Sequence, residues 1–207
     1  MPTLPTTPFE GLESEDPEYR TMMEFIVRVE SLQAQALGQW MLQEFPGLRS
    51  VIDIGCGPGI YLLPYRAAGC RVLGVDACTG AGECLEAAEF ERFDLRFPLS
   101  ARGWDLAICF EVAEHLPEAF ADTLVDSVCE AASLLLWSAA VPGQGGTYHY
   151  NERPPAYWLE KFATRGFALH PLQDALRAFL ARFAPERARG EVSGWLLDNS
   201  FLLVRLS

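Results

Sequence analysis

Short apolar runs rich in β-branched residues alternate with amphipathic stretches along most of the chain. That alternation narrows the fold more than any other feature. SVIDI (50–54), CRVLGVD (70–76), FERFDL (90–95), WDLAICFEV (104–112), ASLLLWSAA (132–140), FALHPL (167–172) and GWLLDNSFLLVRL (194–206) read as seven strands. Helical stretches fall between them at 58–68, 80–88, 116–128, 156–165 and 172–183. Strands alternating with helices imply right-handed crossovers and a mostly parallel sheet. Central runs that are apolar throughout suit strands covered on both faces. The expected fold is therefore α/β, a doubly wound, seven-stranded, mostly parallel sheet. A ligand would sit at the carboxyl ends of its strands, beside the first one.

Upstream of the alternation the pattern changes. Residues 1–15 are rich in Pro and Thr and read as a mobile arm. Asp16-Pro17 looks like a helix start, an N-cap acid followed by a proline whose missing N–H costs nothing there. From Glu18 to Phe45, Met22, Ile26, Val29, Leu37 and Trp40 recur on one helical face, and Pro46-Gly47 ends the run. The chain thus divides into an arm (1–15), an N-terminal cap helix (16–47) and one domain (48–207).

Charge and cysteine usage bound the partners. Sixteen basic residues face 28 acidic ones, a formal net charge of −12, with no basic run. A groove that tracks phosphates needs clustered Lys and Arg, so nucleic acid is not an expected partner. A small or cationic ligand fits the acidic balance better. The start lacks the basic-then-apolar pattern of a secretory signal, and no run is long enough to cross a bilayer. The expected setting is cytoplasmic, without membrane attachment. Cys56, Cys70, Cys78, Cys84, Cys109 and Cys129 form no CxxC pair and no zinc-type Cys/His spacing. Three of them lie in or beside predicted strands, where a free thiol behaves as a small buried hydrophobe, and no metal is expected. The sequence leaves open whether the chain forms a homodimer.

VIDIGCGPGIYLL places Gly55, Gly57 and Gly59 at every second position after the first strand. Glycine is placed where the backbone needs positive φ or where something must approach it closely, and a ligand is the expected visitor. A dinucleotide fingerprint would carry its third glycine three residues after the second. Here position 60 is Ile, and Pro58 removes an N–H from the turn. The spacing argues against NAD.

DIGCGPG resembles the first motif of class I S-adenosylmethionine-dependent methyltransferases, and the resemblance runs from about Ser50 to Leu206. It implies a seven-stranded sheet whose last strand is antiparallel, with S-adenosylmethionine as cofactor. It also implies that the loop of Gly55, Cys56, Gly57 and Gly59 passes under the methionine half of that cofactor. Asp53 matches the acid that helps hold the cofactor's ammonium group. Asp76, with Ala77 beside it, matches the acid that accepts both ribose hydroxyls. Asp94 matches the acid that meets the adenine amino group, with the Leu95 backbone alongside. ICFEVAEHLP, which includes Phe110 and Glu111, resembles the motif that lies along the cofactor near the methyl group. Taken singly, each acid at a strand end is also a common helix N-cap.

Methyl transfer is an in-line displacement at a sulfonium, so the protein mainly positions the acceptor and removes a proton where one must leave. Two stretches carry the candidates for that role. His115 follows the fourth strand and could take a proton from an acceptor hydroxyl, or simply cap the next helix. GGTYHYNERPPAYW follows the fifth strand and resembles a G-G-x-x-H-x-N-E-x-P-x-x-Y-W pattern of small bacterial methyltransferases. It offers Tyr148, His149, Tyr150 and Asn151 to an acceptor, with Gly145 and Gly146 giving the loop freedom, or it packs as plain surface. The long helix is expected to roof the cofactor site, where Tyr19, Arg20 or Arg28 could reach the cofactor carboxylate. The leading reading is methylation of a small-molecule acceptor on oxygen or nitrogen. Three others remain: attack at another sulfonium carbon with release of methylthioadenosine, a cofactor-binding regulator without turnover, and a protein methyltransferase, for which no peptide groove is readable.

Overall fold

The computed structural model describes residues 17–78 and 80–206, with side chains from residue 20 onward in the first helix. The arm at 1–15 and the Asp16 cap lie outside the described residues. Helix α1 (Pro17–Glu44) leads into β1 (Ser50–Ile54), a 3-10 turn at Ile60–Leu62, α2 (Leu63–Ala67) and β2 (Arg71–Asp76). Then come β3 (Phe90–Arg92), β4 (Leu106–Phe110), α3 (Ala121–Ala131), β5 (Leu134–Ser138), α4 (Pro155–Ala163) and β6 (Phe167–Leu169). The chain closes with α5 (Gln173–Leu180), α6 (Ala184–Ala188), α7 (Trp195–Asn199) and β7 (Phe201–Arg205).

The strand order is β3-β2-β1-β4-β5-β7-β6. β1 pairs in parallel with β2 and β4, and β7 lies antiparallel between β5 and β6. This is the expected doubly wound sheet of seven strands, with its last strand reversed. Alternate residues feed two cores. Ile52, Ile54, Ala107, Cys109, Leu135 and Trp137 pack under α3 and α4. Val51, Leu106, Ile108 and Leu136 pack under α1, α2 and α5. The strand order reverses between β1 and β4, so the carboxyl ends of those strands open a crevice on the sheet edge. No described helix is long and apolar enough to cross a membrane.

Three local expectations are corrected. The stretch at 80–88 is a series of turns that passes into a 3-10 turn at Ala87–Glu89, rather than an α-helix. Its N–H groups are used elsewhere: Gly82 donates to the Gly57 carbonyl at 2.8 Å and Cys84 to that of Pro58 at 3.0 Å. The segment therefore clasps the glycine turn. The stretch at 194–206 is not all strand, because its first half forms α7. Buried Gln173 makes the handover possible. Its amide donates to the Ser200 carbonyl at 3.0 Å and accepts from Leu202 N–H at 2.6 Å, replacing a ladder partner where the helix becomes strand. The expected helix at 58–68 is split into the 3-10 turn and α2.

Helix α1 is pinned where it crosses α2. A Cβ on Gly38 would lie 2.2 Å from Pro64 Cγ, and the proline ring cannot swing away. Gly38→Ala gains about 1 kcal/mol of helix propensity but forces an overlap that typically costs about 1–3 kcal/mol. The expected outcome of denaturant unfolding is a lower midpoint; a stabilised variant would show that the crossing can spread freely.

Candidate active site

The glycine turn is built before any ligand is considered. Gly55 and Cys56 both donate to the Val75 carbonyl, at 2.8 and 3.1 Å, which folds the chain back over the end of β2. Gly55 and Gly59 sit at φ of +81° and +88°, where a side chain is strained. A Cβ on Gly55 would meet Val112 at 2.3 Å, and one on Gly59 would meet Leu85 at 2.5 Å. At these two positions the close visitor is therefore a protein side chain, not the expected ligand. Gly57 differs, because it faces a cavity and lies under Met23 of α1.

That cavity has a volume of about 400 Å³ and lies at the carboxyl edge of β1, β2 and β4. Gly55, Cys56 and Gly57 border it together with Asp53 and Asp76. Met22, Met23, Ile26 and Glu30 of α1 roof it, and Trp195 and Leu196 of α7 close one side. Ala77, Asp94, Leu95, Phe110 and Glu111 also border it, whereas Gly59 does not. Helix α1 thus covers this cavity. Arg20 and Arg28 are exposed on α1 and lie outside the lining, and Tyr19's side chain is not among those described. Arg96 is the only lysine or arginine among the described lining residues.

The three strand-end acids occupy different environments. Asp53 is buried on the α1 side of β1, and burial with the nearby Asp76 charge pushes its carboxyl up to about 8. Asp76 accepts from Gly57 N–H at 2.9 Å with one oxygen and from Cys78 N–H at 2.8 Å with the other. Burial raises its pKa, and those backbone bonds oppose the rise. Asp76 thus both braces the glycine turn and faces the cavity. Asp94 is held by Arg96, whose Nη2 lies 2.7 Å from Oδ2 and Nε 2.9 Å from Oδ1.

The opposite edge of the cavity is built by the segment after β5. Glu152 is its hub, accepting from Gly143 and Gly145 N–H at 2.7 Å each and facing His149 Nδ1 at 3.0 Å. The Glu114 carbonyl accepts from Tyr150 and Asn151 N–H, at 2.8 and 3.0 Å. The loop is therefore tied down rather than freed by its glycines. Gly146 is required for another reason, since a Cβ there would meet His149 Nε2 at 2.3 Å. His115 and His149 face each other edge to face, with ring centroids 4.9 Å apart, and both line the cavity. Tyr148 does not: it stacks with Tyr150, and both are exposed. Burial, then the His149 charge, lowers His115 to about 4, so its imidazole is neutral near pH 7.

Beneath the two histidines lie Glu111 and Glu114. Glu111 holds a φ of +51°, unusual for a side-chain-bearing residue. Its N–H reaches Ser138, and its Oε2 accepts from Gln144 Nε2 at 2.7 Å. Burial raises both carboxyls, that of Glu114 well above the usual range. One donor atom from each of Glu114, His115 and His149 lies within 4.8 Å of the others.

Against known proteins, a family model described as methyltransferase domain matches residues 27–142, more than half of the chain. The chain belongs to the methyltransferase domain family. Among solved structures it resembles magnesium protoporphyrin IX methyltransferase from Synechocystis with bound SAH, at 19% identity and a TM-score of 0.61, covering 96% of this chain and 91% of that one. It also resembles a sugar N-methyltransferase from Streptoalloteichus, at 14% identity and a TM-score of 0.65, covering 100% and 99%. A third is DesVI from Streptomyces venezuelae, at 12% identity and a TM-score of 0.67, covering 94% and 100%. At such identities the likeness establishes the class I methyltransferase fold. No curated protein sequence matches the chain.

Several lining residues of this methyltransferase domain carry no motif signal. Glu30, Trp195 and Leu196 come from the two ends of the chain. Glu30 is buried and accepts from Tyr61 Oη at 2.7 Å, a pairing across 31 residues that no local spacing announces.

Proposed function

We propose that the chain transfers a methyl group from S-adenosylmethionine to a small-molecule acceptor, on oxygen or nitrogen. The observation that carries this is one cavity lined by two sets of groups. Asp53, Asp76 and the glycine turn line one part of it, and His115 and His149 line another. The residues fit such a cofactor. A cation-bearing ligand suits a lining rich in buried carboxylates, and the Asp76 carboxylate faces the cavity where paired hydroxyls would meet it. When bound, S-adenosylmethionine supplies the activated methyl group.

In this reading Asp53 holds the ammonium group, Asp76 the ribose hydroxyls, and Asp94 with Leu95 the adenine. Asp94 does so while paired with Arg96. Gly57, Cys56, Ala77, Phe110 and Glu111 shape the bed, and Gly59 supports it from behind. His149 orients the acceptor or takes its proton, with His115 beside it. Tyr148 belongs to the rim. Small-molecule acceptors are named for relatives of this fold, a porphyrin and a sugar among them, which supports the acceptor class. Roofing by α1 and α7 supports it too, since it leaves little room for a polypeptide.

Calorimetry tests the cofactor part. S-adenosylmethionine should bind and raise the melting temperature by mass action, and NAD should do neither. Asp53 is protonated in the free protein near pH 7, because its pKa stands at about 8. Pairing with an ammonium group favours its ionised form, so binding should release a proton. Titrations in buffers of different ionisation enthalpy should detect that release, and Asp53→Asn should abolish it. A thermal shift with NAD and none with S-adenosylmethionine or its demethylated product would overturn the reading. Acceptor pools screened by product mass then separate the chemistries: S-adenosylhomocysteine marks methyl transfer, and methylthioadenosine marks attack at another carbon.

A further inference from the structure

Glu114 is the most unusual group in the molecule. It is 0% exposed, and neither carboxylate oxygen is fully satisfied: what lies against it is the Glu111 carboxyl and the backbone at Ala140. A buried carboxylate left this way is costly, and native structures seldom tolerate one without a partner. His115 Nδ1, one residue on, is also buried without a partner. A third donor, from His149, completes a triangle whose corners lie within 4.8 Å of one another. The Glu111 carboxyl, buried against that of Glu114, adds a further oxygen nearby.

We propose that Glu114, His115 and His149 bind a divalent first-row transition-metal ion at the acceptor edge of the cavity. Two imidazoles and a carboxylate suit ions from Mn²⁺ to Zn²⁺ better than Mg²⁺ or Ca²⁺, which favour all-oxygen shells. The surroundings are those of a ligating histidine. His149 Nδ1 is held by Glu152 at 3.0 Å, the carboxylate–imidazole pairing that orients a ligand ring and settles its tautomer. Glu152 is itself fixed by two backbone N–H groups. The spacing alone hides the set, because Glu114 and His115 are adjacent whereas His149 arrives from the loop after β5.

The use of this ion rests on the methyltransferase reading. Three protein ligands leave open positions toward the cavity, where an acceptor hydroxyl would be oriented and made more acidic. The acceptor class that follows is a compound presenting oxygen, methylated there.

The test uses the full chain after chelation and the metal alone. Calorimetric titration with Mn²⁺ and Co²⁺, with the visible spectrum of the Co²⁺ form, should show one ion per chain. Glu114→Gln and His149→Asn should each weaken binding at least tenfold, while S-adenosylmethionine affinity changes little. Glu114 is central to a buried edge, so its variant could unfold. His149→Asn, at a half-covered position, then carries the comparison alone, with the melting temperature as control. Absence of stoichiometric binding in the parent protein overturns the proposal. So does binding unchanged in His149→Asn, or a preference for Mg²⁺ over Mn²⁺. The two readings fail separately: cofactor binding without metal binding leaves the methyltransferase reading standing and removes the ion, whereas metal binding without cofactor binding does the reverse.

Discussion

His149→Ala is expected to lower methyl transfer by about 10²–10⁴-fold, the range for loss of a positioned proton-transfer group, while S-adenosylmethionine affinity stays within a factor of a few. The separation follows from the geometry. His149 lines the cavity from the loop after β5, whereas Asp53, Gly57 and Asp76 line it from β1, β2 and the turn between them. Truncation should not collapse the loop, because Glu152 still holds Gly143 and Gly145, and the Glu114 carbonyl still holds Tyr150 and Asn151. Loss of metal ligation and loss of a base predict the same direction here, so this measurement tests the site and the metal titration tests its content. His115→Ala is the comparison: its ring packs against His149 and follows directly on the segment of Phe110 and Glu111 that lines the cavity, so it should disturb both binding and transfer. Product formation by mass, beside cofactor calorimetry, makes the measurement. Full activity in His149→Ala would return the loop to a role as packed surface.

Asp76→Ala should weaken S-adenosylmethionine binding by at least tenfold. Two losses combine. Ribose hydroxyls lose a charged acceptor, about 1–3 kcal/mol for donors left unpaired. Gly57 and Cys78 also lose the carboxylate that accepts their N–H groups at 2.9 and 2.8 Å, so the turn under the cofactor loses its brace. The melting temperature of Asp76→Ala without cofactor reports the bracing loss, and calorimetry reports the sum. Unchanged affinity in Asp76→Ala would mean that the carboxylate serves the turn alone.

The parts of the fold that were legible in sequence are those with local causes. Ser50–Ile54 and Leu106–Phe110 are apolar throughout because both of their faces are covered, and that pattern is visible without coordinates. Asp53, Asp76, His115 and His149 were legible as polar residues at strand ends or in the segments that follow. What stayed hidden depends on distant partners. The turns at 80–88 look helical until their N–H groups are seen to reach Gly57 and Pro58. Gln173, 29 residues from Leu202, decides where α7 stops and β7 starts. The glycines of the first motif were read as clearance for a ligand, yet Val112 and Leu85 fill the space beside Gly55 and Gly59. In the same way, Tyr148 carries an attractive side chain in an attractive loop, but its backbone at φ +58° goes with a ring outside the cavity lining.

Helix α1 behaves as a cantilever. Its second half is clamped: Ala34, Leu37 and Met41 are buried in the sheet's core, and Gly38 sits hard against Pro64. Its first half overhangs the site through Met22, Met23, Ile26 and Glu30. The cavity is therefore roofed by a segment whose root is the core itself. Substitutions at the Gly38–Pro64 contact are therefore expected to change ligand off-rates although neither residue lines the cavity, which stopped-flow measurement would check.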